Sequence, residues 1–182
     1  MALAGPTYCY SPGTGCYVRC FYVAGTSPKG TSGGCWVDRS GRVLGVQSGY
    51  LNSAKAPAMI ANVGMPDAIR TLLDTQTSPE VATLGTRLDE LWTQPKGFIK
   101  RMPAGIEGVI TVVPDKDGPV ARAGLTTESL ILAIDGEPVV YVDDVLNAVR
   151  AKKPGDVVTL RIQDPDKKTG PRDVSVTLGK VK

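Results

Sequence analysis

The sequence predicts a mainly β fold with short helices, divided into two parts, and three observations predict it. Short runs of β-branched and aromatic residues recur along the chain, each closed by Gly, Pro, Asn or Asp, the punctuation of strands and tight turns. Helical periodicity is confined to a few brief stretches. The composition also changes near residue 76: all four cysteines fall before it, whereas the chain after Gln76-Thr77-Ser78-Pro79 is rich in Val, Ile and Leu. Residues 1–75 are therefore assigned to one part, 76–80 to a linker and 81–182 to a second part of ordinary domain size.

In the first part, CYVRCFYV at 16–23 is a strand candidate, and the Gly/Ser/Thr/Pro stretch that follows to residue 34 cannot continue it. Cys35-Trp36-Val37 and residues 42–46 read as a hairpin about the turn Asp38-Arg39-Ser40-Gly41, in which Gly41 supplies the positive φ of a tight connection. Residues 58–63 read as a further strand. A helix then opens near Met65 and runs to about 75: Pro66 suits the first helical position, Asp67 complements the dipole, and Ile69, Leu72 and Leu73 share a face.

The second part predicts strands at 81–88, 108–113, 130–134, 157–163 and 173–178, each bounded by Gly, Pro or Asp. A short helix covers 120–123. A longer one covers 142–152, with Asp143 and Asp144 in its first turn and Lys152-Lys153 at its end. Its apolar residues Val142, Val145, Leu146 and Val149 follow i, i+3, i+4, i+7, and Pro154-Gly155 stops it.

Composition excludes several functional classes. With 42% hydrophobic and 21% charged residues and a net charge of +3, the chain reads as an ordinary globular protein. Its basic residues are scattered, and Lys152-Lys153 and Lys167-Lys168 sit beside turns as solvated charges, so no nucleic acid partner is expected. No apolar run reaches the roughly 18 residues of a membrane span. Residues 1–6 lack the basic start and apolar length of a signal peptide, so the chain reads as cytosolic or as beginning downstream of a longer protein's start. Cys9, Cys16, Cys20 and Cys35 are separated by six, three and fourteen residues, without paired C-x2-C knuckles. They are expected to be disulfides or buried thiols rather than a metal site, and no cofactor is expected.

The motif with chemical content is Gly30-Thr31-Ser32-Gly33-Gly34. A serine hydroxyl needs a base to become a nucleophile, and glycines leave room for backbone N–H groups to converge on an oxyanion. The chain contains no histidine. The loop is preceded by a strand and followed by CWVDRSGRVLGV at 35–46 and AMIANVGMPDAIRTLL at 58–73. Together these resemble the nucleophile loop, following hairpin, last strand and final helix of an HtrA/DegP-type protease domain. The resemblance makes Ser32 the nucleophile and the N–H groups of Gly30 and Ser32 the oxyanion donors. Cys35 departs from the family's usual Pro, and Lys29 stands just ahead of the loop.

The second part resembles that family's PDZ domain over nearly its whole length, through GVITVVP at 108–114, GPVARAGL at 118–125, LILAIDGEPV at 130–139 and KPGDVVTL at 153–160. Glu128-Ser129 departs from the usual Gly-Asp. The resemblance implies a partial trypsin-like β-barrel segment followed by a small β-barrel or sandwich capped by two helices. It also implies an extracytoplasmic setting, proteolysis in protein quality control, and a PDZ groove that takes extended or C-terminal peptide segments. Such domains add a peptide as a strand to a sheet edge and hold its carboxylate with backbone N–H groups. That loop maps onto Thr83-Leu84-Gly85-Thr86, with Leu146 and Val149 on the facing helix wall.

Three functions follow: a serine endopeptidase of which these residues are the C-terminal portion, inactive alone for want of His; a stand-alone non-catalytic peptide-binding module; or a nucleophile supplied to a partner bearing His and Asp. A Ser-Lys dyad with Lys29 or Lys55 is disfavoured, because a lysine base needs desolvation and both sit in polar stretches. An incomplete barrel exposes a strand edge, which favours pairing with a second copy as a homo-oligomer.

Overall fold

A computed structural model describes residues 3–11, 15–24, 30–51, 60–64, 66–165 and 170–181. The chain divides into two compact units, Met1–Pro79 and Glu80–Lys182. Lys29, Lys55, Ala58 and the Lys167-Lys168 pair lie outside the described residues.

The first unit is built from β1 (Leu3–Ser11), β2 (Cys16–Ala24), β3 (Cys35–Val37), β4 (Val43–Leu51), β5 (Ile60–Gly64) and α1 (Pro66–Thr75). Among the described residues its strands form one antiparallel sheet in the order β1-β2-β5-β4-β3, open at both ends, so no barrel is closed. The expected β3–β4 hairpin is present. Asp38 organises its turn: Oδ1 accepts from Ser40 N at 2.8 Å, Ser40 Oγ at 2.7 Å and Arg42 N at 3.0 Å. These bonds, the Ser40 hydroxyl foremost, hold the Asp38 carboxyl down to about 2. Gly41 has the positive φ its turn requires, +80°.

β1 was not expected from the sequence, because Gly5-Pro6 breaks its pattern. The structure absorbs these two residues in a register shift between Ala4 and Thr7, after which Thr7, Tyr8, Cys9 and Tyr10 pair regularly with β2. Among the described residues of this unit, buried Phe21 and Val23 pack against partly buried Trp36 and Leu44. The four cysteines form no disulfide with one another; Cys20 is buried and Cys35 exposed.

The second unit contains β6 (Ala82–Thr83), β7 (Thr86–Glu90), a 3₁₀ turn at Leu91–Thr93, α2 (Lys96–Ile99), β8 (Val109–Pro114), α3 (Pro119–Arg122), β9 (Leu130–Ile134), β10 (Glu137–Pro138), α4 (Val142–Arg150), β11 (Val157–Gln163), β12 (Arg172–Thr177) and β13 (Gly179–Lys180). Among the described residues the main sheet runs β12-β11-β9-β8-β7, with β10 on β9, and β13 pairs with β6 separately. The core lies between sheet and helices, where Val109, Leu130, Ile131, Val145, Val149, Leu160, Ile162 and Val176 are fully buried.

The strand expected over 81–88 is two strands, and the reason is local. At Leu84-Gly85 the backbone bonds leave the ladder: the Leu84 carbonyl accepts from Val120 N at 3.2 Å and the Gly85 carbonyl from Asp115 N at 2.8 Å. Gly85 has φ +65°, and a Cβ there would lie 2.7 Å from Pro119 Cδ. The chain thus turns between two sheets at the one residue type that fits. The helix expected to reach 152 ends at Arg150, and Lys152 Nζ instead meets Asp135 Oδ2 at 2.9 Å.

Candidate functional site

Two candidate sites lie in separate units, and each is described by itself. In the first, Ser32 is exposed in the loop that leads into β3. Gly30 and Gly33 adopt φ +92° and +88°, a region costly for other residues. The loop is tied to β4 through Gln47: Gly33 N–H donates to the Gln47 carbonyl at 2.8 Å, and Gln47 N–H to the Gly34 carbonyl at 2.9 Å. The Gln47 side chain is buried, donating from Nε2 to Thr31 Oγ1 at 2.9 Å and accepting at Oε1 from Trp36 Nε1 at 3.2 Å.

Sequence reasoning missed Gln47, since a lone Gln within a strand carries no signal of its own. Gly34 N–H closes the turn onto the Thr31 carbonyl at 2.9 Å, whereas the N–H groups of Gly30 and Ser32 meet no carbonyl among the described residues. The described residues contain no cluster of His, Cys, Asp or Glu able to hold a metal ion.

The second site lies between β7 and α4. β7 is the terminal strand of its sheet. α4 runs beside it in the opposite direction and is fastened at both ends: Arg150 Nη1 donates to the Ala82 carbonyl at 3.0 Å, and Val142 N–H to Glu90 Oε1 at 3.4 Å. The Asp144 carboxylate caps the start of α4, accepting from Val140 N at 3.0 Å and Tyr141 N at 2.8 Å. The far boundary is Thr83-Leu84-Gly85-Thr86, where Gly85 N–H donates to Thr83 Oγ1 at 3.1 Å and Leu84 is buried in the core.

The apolar residues of α4 separate into two rows. Val145 and Val149 are 0% exposed, whereas Val142 and Leu146, one turn apart, retain 8% and 6%. Of the expected wall residues, Leu146 thus keeps a little exposure, as does Val142, while Val149 keeps none. Periodicity marked all four as one stripe and could not divide it.

The PDZ domain family profile matches residues 82–178. The chain is 30% identical over 154 residues to the serine protease PepD of Mycobacterium tuberculosis, covering 83% of this chain and 32% of that protein. It is 27% identical over 156 residues to a probable periplasmic serine endoprotease, DegP-like, of Bartonella henselae, covering 82% and 30%. The chain thus spans about a third of the length of these relatives. The solved HtrA-type protease AlgW with decapeptide matches with TM-score 0.61 at 17% identity, over 98% of this chain and 59% of that one. The serine endoprotease from Yersinia pestis matches with TM-score 0.56 at 15% identity, over 96% and 61%. HtrA/DegP-type similarity therefore covers most of this sequence, and the fold is theirs. Among the described residues no helix is long and apolar enough to cross a membrane.

Proposed function

The chain belongs to the PDZ domain family, and on that premise we propose that its second unit binds extended peptides by their C-terminal ends, within a serine endopeptidase of the HtrA type. The reading rests chiefly on one observation: a terminal strand, β7, flanked by an antiparallel helix whose Val142 and Leu146 keep a little exposure. A peptide added to β7 gains main-chain hydrogen bonds, while its apolar side chains meet that row. A terminal carboxylate at Thr83-Leu84-Gly85-Thr86 competes with Thr83 Oγ1 for the Gly85 N–H. The relatives named periplasmic support an extracytoplasmic setting, and unfolded segments with free apolar ends are the natural ligands. The open sheet ends at β1 and β3 offer edges for pairing with a second copy.

We assign Ser32 as the nucleophile of the intact protease, with the N–H groups of Gly30 and Ser32 as oxyanion donors. Support comes from the Gly-rich conformation held by Gln47 and from those two N–H groups meeting no carbonyl among the described residues. The base must come from elsewhere, because the chain has no histidine.

The binding reading is tested on the ligand, because Gly85→Glu would disrupt packing on Pro119 as well as occupy the loop. A ten-residue peptide ending in Val is titrated against the full chain as free acid and as C-terminal amide. The expected result is binding at least about tenfold weaker for the amide, roughly 1.4 kcal/mol or more. Equal affinity for the two forms would remove the carboxylate loop from the proposal.

A further inference from the structure

Beyond the end of β7 lies a pocket of about 310 Å³, lined by Leu91, Trp92, Ile99, Ile106, Glu107 and Val140 among others. Its floor continues the core, since Leu91 packs with Phe98, Met102, Ile110 and Leu130, and Ile99 and Ile106 lie against that cluster. Its wall is unusual. Trp92 is 66% exposed, a large apolar surface left in water beside a concave apolar site.

The position of this pocket relative to the proposed groove is set by the chain itself. Leu91 and Trp92 directly follow β7, and Val140 precedes α4 by two residues, so the pocket sits where the strand ends and the helix begins. The Val142 to Glu90 hydrogen bond holds those two ends together. A peptide whose carboxylate lies at Gly85 must run antiparallel to β7, its upstream residues advancing from Thr86 toward Glu90. With one peptide residue opposite each of the five residues of β7, roughly the sixth residue from the C terminus comes level with Leu91 and Trp92.

The geometry points to a second subsite: the pocket takes a large apolar side chain, aromatic or long aliphatic, about six residues from the C terminus of the bound peptide. This inference rests on the groove reading above and deepens it. The occupant is the same chain that fills the groove, because the residues lining the pocket adjoin the end of β7 and the start of α4 in sequence, and its volume has room for one such side chain. The ligand class is thereby narrowed from any apolar C terminus to a segment with two apolar anchors, one terminal and one upstream. Segments of that pattern are core strands of unfolded proteins.

The test compares three Trp-free peptides ending in Val: a tripeptide, an octapeptide with Phe sixth from the end, and the same octapeptide with Ser there. Each is titrated against the full chain and against Trp92→Ala, whose exposed site leaves the fold intact by circular dichroism. The Phe octapeptide is expected to bind the native chain about tenfold more tightly than the Ser octapeptide and to shift Trp92 fluorescence to shorter wavelength. Trp92→Ala should erase that advantage while binding the tripeptide as the native chain does. Equal affinity of the Phe and Ser octapeptides, or an advantage that survives Trp92→Ala, would overturn the subsite and leave the groove standing. Failure of the tripeptide and both octapeptides to bind would overturn the groove and the subsite together.

Discussion

Single residues carry the departures of this chain from its family's pattern, and the structure explains both members of Glu128-Ser129. Glu128 stands at φ +75°, where such domains usually place Gly. Its N–H donates to the Thr111 carbonyl at 2.7 Å and its carboxylate meets Arg101 at 3.2 Å, an ion pair with both side chains well exposed. The left-handed conformation costs a non-glycine residue about 1–2 kcal/mol. An exposed pair returns less than about 1 kcal/mol. Glu128→Gly relieves the strain, loses the pair and gives freedom to the unfolded chain, for a net gain of about 0.5 kcal/mol. Thermal unfolding should rise by roughly 2–4 °C, whereas Glu128→Ala, which keeps the strain, should not rise; a fall for the glycine variant would refute the account. Ser129 has a different reason. Fully buried, its Oγ donates to Asp164 Oδ1 at 2.9 Å and accepts from Thr126 N at 3.2 Å, so an Asp at 129 would face the Asp164 carboxylate.

At the scale of elements, legibility followed the strength of local pattern. β9 and β11 have the bounds their apolar runs indicate, since both are buried strands between clear turn residues. The break inside 81–88 was not legible in the strand pattern, although the resemblance placed a loop at Thr83-Leu84-Gly85-Thr86, because nothing in Leu84-Gly85 announces that its carbonyls bond to Val120 and Asp115. The pocket was equally hidden: the 3₁₀ turn and four-residue α2 that shape it are too short for periodicity. Ser32 was found from its glycines, but not the element that holds it. Gln47 on β4 does so through its side-chain bonds to Thr31 and Trp36, and Gln47→Leu would remove both. The cost is expected to be about 1–3 kcal/mol. It should be local, with amide exchange at Gly33 and Gly34 accelerating while β9 and β11 keep their protection. Unchanged exchange in the loop would show that backbone bonds alone define its shape.

Among the described residues, the first unit shows one small apolar cluster and the second a more extensive core. Phe21 and Val23 anchor the first, whereas the second fully buries residues from β8, β9, α4, β11 and β12. α1 ends at Thr75, the following Gln76 takes φ +51° with its N–H on the Leu72 carbonyl, and Pro79 closes the first unit. A division at this point leaves the second unit's sheets intact, because β6 and β7 find all their partner strands after residue 79. The fragment 80–182 is therefore expected to unfold in one cooperative transition and to bind a Val-terminated peptide with the affinity of the full chain, within about a factor of two, as expected for sites without shared partners. The full chain should bind the same peptide without cleaving it, because Ser32 has no imidazole in the sequence to take its proton. Mass spectrometry of peptide recovered after incubation reads the second half directly, and cleavage abolished by Ser32→Ala would mean that another residue serves as base. A fragment that folds but binds much more weakly than the full chain would instead assign part of the peptide site to the first unit.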